Sequence, residues 1–535
     1  MTVDSWQEKA AAKRSQCDAA IPAEWRIQPA QLDNPDTSVL DVPRACGILT
    51  DREAHITEDF DATALLEKLA GGAFTSLEVT TAFCKRAAIA QQLTSCLTET
   101  FFDAALERAI YLDDHLQRTG KPIGPLHGLP VSIKESFSVS GISSTLGFVS
   151  FLDRPPASTN SALVDILLNA GAVLYVKTNI PQTMMTPDSH NNVFGRTLNP
   201  HKLSLTAGGS SGGEGALLAM RGSVLGIGTD IAGSIRIPAL CCGVVGFKPT
   251  ACRVPYGGQT SAGRPGLTGI LPVAGPLCRS VRDAELLLRV VCDSNAADLD
   301  DGVLGVSWRG SERKDDVLVV GVMPEDPLFP LHPPMQRALE AAIEKLAAAG
   351  HTIVNLAGDF PSLSEAKDVS LGYFNMDPDR TSFRHIRASG EPFIPSLRFT
   401  YDISDDRPEP TLRQLYDLNV ARAALAAQMR RVFVERKLDV LVGVGYQSTA
   451  VPHDTYGAPL YTVINNLLNY PACVIPFGKA NQAADAKFVR DVQYVPEYKP
   501  EDIEGAPCHI QITGRPMADE KLAQDARVVE EVLRE

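Results

Sequence analysis

Residues 206–238 read TAGGSSGGEGALLAMRGSVLGIGTDIAGSIRIP. Two serine-in-glycine clusters, Gly208-Gly209-Ser210-Ser211-Gly212-Gly213 and Ala232-Gly233-Ser234, bracket an apolar middle that includes Ala216, Leu217, Leu218, Val224, Leu225 and Ile227. A flexible Gly/Ser linker has no such apolar content. Glycine admits positive φ and close backbone approach, so the stretch reads as a loop, a buried helix over about 212–220, a strand, and a second loop carrying Ser234. The chain thereby presents two hydroxyls on separate glycine turns.

A serine hydroxyl becomes a useful nucleophile only when a neighbouring base removes its proton. A G-x-S-x-G elbow is matched at Gly208 to Gly212 and again at Gly209 to Gly213, and an elbow calls for an acid and a histidine later in the chain. His453 and His509 are the candidates for that arrangement, although Leu203-Ser-Leu-Thr-Ala207 is a poor strand to lead into an elbow. Upstream, the segment GLPVSIKES at 128–136 offers a different base. Val131 and Ile133 alternate with Ser132 and Lys134, so Lys134 leaves a half-buried strand near its C-terminal end. Burial lowers a lysine pKa and can leave a neutral amine able to accept a proton. Three readings stay open at this point: Lys134 as the base, Lys134 as a surface residue paired with Glu135, and Lys177, which follows the strand Ala172–Val176, as a rival base.

The set GGSSGGEGALLA, GIGTDIAGSIRIPA and LPVSIKESF resembles the amidase signature family. Further matches run along the chain: SLEVTTAFCKRAAIAQQLT, GPLHGLPVSIK, AGAVLYVKTNIPQTMM, NNVFGRTLNP, ASGEPFIPSL and GAPCHIQITGR. Together they are similar to the fungal acetamidase type, related to fatty acid amide hydrolase. The resemblance implies an α/β fold built as one large domain, with a mixed, twisted central β-sheet covered by α-helices. It also implies three catalytic roles, with Ser234 attacking the acyl carbon, Ser210 relaying the proton and Lys134 accepting it, and a cis peptide before Ser210. Met184 matches a position whose backbone carbonyl lies beside the substrate. The backbone N–H groups of Ile231, Ala232, Gly233 and Ser234 are placed to receive an oxyanion. Asp230 and Arg236 flank that loop and brace it by a charge-assisted hydrogen bond, with Ser211 in support. Where the family more often has glycine this chain has Ala232, whose Cβ restricts φ.

Outward from this stretch the chain is acidic, with a net charge of −14 over 535 residues. No Lys/Arg cluster interrupts it, which argues against nucleic acid as a partner. Eleven cysteines, odd in number and without metal-type spacing, fit a reduced compartment and no metal site. No signal-like N-terminus and no apolar run of spanning length is seen, so the expectation is a cytoplasmic protein with no transmembrane anchor. Residues 1–55 read as an N-terminal arm packed on a catalytic domain of 56–535. Alternating helix and strand patterns mark an α/β protein. Residues 243–276 and 358–412 read as irregular, the latter dense in aromatics that suit a pocket wall, and 294–316 as an exposed connection.

The expected activity is hydrolysis of a monocarboxylic amide to acid and ammonia or amine through an acyl-enzyme, without a cofactor. Its partner is a small amide, and a homodimer is compatible with the reading. The alternatives are an esterase or carbamate hydrolase on the same core, a Ser-His enzyme using His453 or His509, and a binding role within a complex.

Overall fold

In the computed structural model, which describes residues 5–28, 37–310, 317–404 and 406–535, short apolar runs rich in β-branched residues become the centre of the molecule. Strands β1 (Leu97–Thr100), β2 (Pro130–Lys134), β3 (Val173–Thr178), the small hairpin β4 (His190–Asn191) and β5 (Gly195–Arg196), and β6 (Leu225–Asp230) come from the first half. Strands β7 (Val245–Lys248), β8 (Val273–Cys278), β9 (Val319–Val322), β10 (Thr352–Asn355), β11 (Val440–Gly443), β12 (Ala472–Lys479) and β13 (Pro507–Thr513) follow. Eleven of them form one sheet in the order β1-β3-β2-β6-β8-β7-β12-β13-β11-β9-β10. The sheet is mixed. β3, β2 and β6 run parallel, as do β10, β9 and β11, while β6, β8, β7, β12, β13 and β11 alternate in direction. Strands β2, β3, β6, β7 and β8 are buried at every position, as strands covered on both faces must be. The α/β architecture expected from the sequence is therefore present.

Helices cover this sheet. Gly212–Ala219 and Arg236–Cys242 pack on each other and, between them, on β6, β7, β12 and β13. Val281–Cys292 and Asp519–Arg534 pair with each other and close over β7, β8 and β12. Ser76–Thr94 opens with a reciprocal cap in which Thr75 Oγ accepts from the Glu78 N–H and the Glu78 carboxylate accepts from the Thr75 N–H, a pattern that satisfies two otherwise orphaned donors. Of residues 1–55, positions 1–4 and 29–36 lie outside the described residues; Ile21, Trp25 and Val39 join the main apolar core, and Ala10 packs with Val149, Val193 and Phe194.

Two expectations change. Residues 243–276 contain β7 and the start of β8, because Gly246 and Gly275 sit where strand neighbours approach too closely for a side chain: a Cβ on Gly275 would lie 2.5 Å from the Phe247 carbonyl. Residues 358–412 hold the helices Leu363–Phe374 and Thr381–Ser389. Their apolar residues are spaced to bury one side, with Tyr373, Phe383 and Ile386 inside. The segment 294–316 is exposed over most of its described residues and is anchored at a few points: Trp308 is buried against Arg253 and Asp300 accepts from the Tyr256 and Gly257 N–H groups, while 311–316 lie outside the described residues. No described helix is long and apolar enough to cross a membrane.

Candidate active site

Lys134 ends β2 with parallel neighbours on both sides, and register decides what surrounds it. It faces Thr178 on β3, while Ile133 pairs with Ile227 on β6, so Thr229 arrives beside the amine two residues further on. Lys134 is fully buried. Its Nζ lies 2.7 Å from Ser210 Oγ and 2.7 Å from Thr229 Oγ1, and no carboxylate forms an ion pair with it among the described residues. Burial pulls its pKa down to about 7, against the opposing fields of Asp230, Glu214 and Glu135. A neutral amine has one lone pair and two N–H donors, so it can accept from Ser210 while donating to Thr229. The surface reading of Lys134 is overturned: Glu135 turns away and accepts from the Thr145 and Leu146 N–H groups. Lys177 donates to the Ser143 carbonyl at 2.8 Å and to Ser144 Oγ at 2.5 Å, away from both glycine turns.

The first turn places Ser210 through its packing. The Gly209–Ser210 peptide is cis, and Gly208 has φ +79°. A Cβ on Gly209 would lie 2.4 Å from the Thr186 carbonyl and one on Gly213 2.3 Å from the Asn179 N, so only glycine lets this loop lie against its neighbours. Ser211 ties the two turns together. Its N–H donates to the Ser234 carbonyl at 3.2 Å, and its Oγ lies 3.3 Å from the Thr229 N–H.

The second turn is built on Asp230. Its carboxylate accepts from the Gly233 N–H at 2.7 Å and the Ile235 N–H at 3.2 Å. Arg236 grips both oxygens, Nε to Oδ2 at 3.0 Å and Nη2 to Oδ1 at 3.2 Å, and reaches on to Gln511, Asn466 and the Thr462 carbonyl. Burial alone would raise the Asp230 pKa, but Arg236, Lys248 and Asn466 hold it at about 2. The Gly233 N–H is thus committed to Asp230, leaving the Ile231, Ala232 and Ser234 N–H groups as the backbone donors of this loop with no partner among the described residues. Gly233 takes φ +134°, and a Cβ there would lie 2.3 Å from Thr462 Oγ1.

Two neighbours escaped the sequence reading. Thr229 is one; its place on the alternation of β6 was the available signal. Glu214, in the first turn of Gly212–Ala219, is the other. Its carboxyl is fully buried, with Thr178 Oγ1 at 2.8 Å from one oxygen and Ser132 Oγ at 2.5 Å from the other. Ser132 Oγ also lies 2.8 Å from Ser223 Oγ, which donates to the Leu225 carbonyl at 3.0 Å. Each hydroxyl has one hydrogen, so all four contacts are hydrogen bonds only when the carboxyl is protonated. Burial pushes its pKa up to about 7, in keeping with that count.

Two chambers meet at this site. A narrow one of about 20 Å³ is lined by Met184, Gly209, Ile231, Ala232, Ser234 and Ile237 among others. A wide one of about 630 Å³ is lined by Ser210, Thr229, Ser234, Tyr256, Tyr373 and Tyr401 among others. Met184 and Thr183 border the wide chamber with left-handed φ of 60° and 72°, a strained backbone for a β-branched threonine. No histidine lines either chamber. His509 Nε2 accepts from the Gly445 N–H at 3.0 Å inside the core, and burial lowers its pKa to about 3; His453 Nε2 lies 3.0 Å from the Leu203 carbonyl. The Ser-His alternative therefore has no histidine where it needs one. No group of three or more described His, Cys, Asp or Glu residues is arranged to hold a metal ion.

A family model described as Amidase matches residues 78–523. An amidase of Gibberella moniliformis is 39% identical over 541 residues, covering 99% of each chain. An acetamidase of Emericella nidulans is 36% identical over 552 residues, covering 99% of this chain and 98% of the relative. Among solved structures, a fatty acid amide hydrolase superposes with a TM-score of 0.91 at 31% identity, covering 99% of this chain and 95% of that one.

Proposed function

The chain belongs to the amidase family and is a hydrolase acting on amide bonds, and we propose that it cleaves a monocarboxylic amide through Ser234, Ser210 and Lys134 by way of an acyl-enzyme. The observation that carries this reading is the 2.7 Å contact between a buried Lys134 amine and Ser210 Oγ. In the first half-reaction Ser234 Oγ bonds to the acyl carbon, its proton passes to Ser210, and the Ser210 proton passes to Lys134. The resulting oxyanion is met by the N–H groups of Ile231, Ala232 and Ser234; one such donor is worth about 3–4 kcal/mol in a serine hydrolase. As the C–N bond breaks, the proton returns through Ser210 to the leaving nitrogen. Water then gives a proton to the same amine and attacks the ester at Ser234; as the ester C–O bond breaks, that proton returns through Ser210 to Ser234 Oγ and the acid is released.

Met184 contributes its backbone carbonyl at the substrate's edge, and Asp230, Arg236 and Ser211 hold the two turns in register. Nucleophile, base and donors are all supplied by the chain, so the scheme needs no cofactor. Residues 1–55 serve as an arm on a catalytic body of 56–535 in this reading, and the protein works in the cytoplasm; a homodimer fits it as well as a monomer. An ester or carbamate could enter the same scheme, since only the leaving atom differs.

A fluorophosphonate probe tests the proposal directly. It should label Ser234 in the native protein and fail to label Ser234→Ala. Amide turnover should vanish in Lys134→Ala and Ser234→Ala and fall severely in Ser210→Ala. Full activity in Lys134→Ala would end the proposal.

A further inference from the structure

We infer that the preferred substrates are N-substituted amides with a small acyl group, of acetyl or propionyl size, and a large neutral aromatic amine. This rests on the triad reading above. In the tetrahedral intermediate the acyl carbon carries four groups: Ser234 Oγ, the oxyanion, the leaving nitrogen and the acyl substituent. The backbone donors at 231, 232 and 234 fix the oxyanion. The leaving nitrogen must take its proton from Ser210, and both Ser210 and Thr229, the hydroxyls that contact Lys134, line the wide chamber and are absent from the lining of the narrow one. The amine side of the substrate therefore faces about 630 Å³. The acyl substituent is left with the narrow chamber of about 20 Å³, room for one water-sized group.

The walls define the chemistry of each end. Val463, Ile237 and Leu371 give the narrow chamber apolar walls, and Lys367, Ser370 and Thr400 also line it. In the wide one, Tyr256, Tyr373, Phe374 and Tyr401 offer aromatic surface, and no Asp or Glu is present among the described residues that line it. The two cations of its described lining are engaged: Arg264 pairs with Asp379, and Arg422 donates to the Gly269 carbonyl and lies 5.2 Å from the Tyr373 ring centre. Among the described residues the lining offers a cationic amine no carboxylate, whereas an aromatic amine finds rings to pack on.

The test compares kcat/KM for acetanilide, propionanilide and hexananilide with acetamide, hexanamide and benzamide, using the full-length protein and its Val463→Ala and Leu371→Ala variants. Acetanilide should be the best substrate of the six. Each methylene beyond the capacity of the narrow chamber should cost about tenfold or more, the scale for one methylene in a fitted pocket. Either alanine variant should restore at least part of the hexananilide loss, and the second serves if the first misfolds. A protein that is labelled by fluorophosphonate at Ser234 yet prefers hexanamide, or shows no dependence on acyl length, would overturn this inference and leave the triad standing. Absence of both labelling and turnover in the native protein would remove the triad reading and this inference together.

Discussion

At the scale of single residues, the proposed mechanism depends on keeping one amine uncharged and aimed. Thr229 does the aiming: its Oγ1 lies 2.7 Å from Lys134 Nζ, which leaves the lone pair for Ser210. Thr229→Val keeps the shape and removes the acceptor, so kcat should fall about tenfold, the scale of one lost hydrogen bond at a buried polar group. KM should change little, and Thr229→Ser should recover the rate. Glu214 controls charge. Ionised, it would favour the ammonium form of Lys134 and disable the base; protonated, it does not. Glu214→Gln can replace the acid's hydrogen bond to Ser132 while fixing the group neutral. The acid limb of the pH profile of kcat/KM, set by Lys134 near pH 7, should therefore move to lower pH by up to about one unit, with the fold intact. An unchanged limb would mean that Glu214 has no electrical influence on the base.

At the scale of elements, the loop from Ile231 to Ile235 has its form because Asp230 gathers its N–H groups and Arg236 neutralises Asp230. Asp230→Ala leaves the Arg236 guanidinium buried without its partner, a change that costs about 3–5 kcal/mol. Urea unfolding should show that loss, and activity should fall with it because the donors at 231, 232 and 234 lose their frame. This turn was legible before the structure: the two glycine clusters, the Asp230–Arg236 brace and the strand bearing Lys134 all stand within short motifs. Elements held by distant partners were harder to read. The helix Leu412–Glu435 went unassigned because Leu412, Tyr416 and Val420 stay exposed while Leu425, Met429, Val432 and Phe433 are buried, so no single apolar face runs its length. The helices at 363–374 and 381–389 were hidden by flanking glycine, proline and charge. Strands β7 and β8 were taken for loops because Gly and Pro outnumber β-formers around them, and their sheet neighbours, β12 and β6, are remote in sequence. The Gly233 N–H was counted as an oxyanion donor because sequence cannot reveal that a carboxylate three residues earlier folds back onto it.

At the scale of the whole molecule, burying the lysine proposed as the base is a cost to the fold. The Lys134 amine titrates near 7 in the folded protein and at its ordinary 10.5 when unfolded. Below pH 7 both states hold the proton and the folded state carries the full penalty of a buried ammonium. Between about 7 and 10.5 the unfolded chain binds more protons, so this group makes stability rise with pH until the penalty is gone. Lys177 and Lys248, lowered to about 8 and about 7 by burial, act in the same direction, whereas buried thiols and phenols raised by desolvation act in the opposite one above their ordinary values. The net slope is therefore mixed, and a difference isolates the catalytic group. Lys134→Met keeps most of the volume and has no proton to bind. It should be inactive yet more stable than the native protein at pH 7, and its advantage should shrink steadily toward pH 10.5, the two stability curves differing in slope by about one proton across that window. Chemical denaturation of both proteins at a series of pH values measures this. Parallel curves would mean that Lys134 keeps its ordinary affinity for protons in the folded state, and with it would go the neutral base on which the proposed mechanism depends. Native proteins commonly give up stability at functional sites, and here the sacrifice is assigned to a single titrating atom.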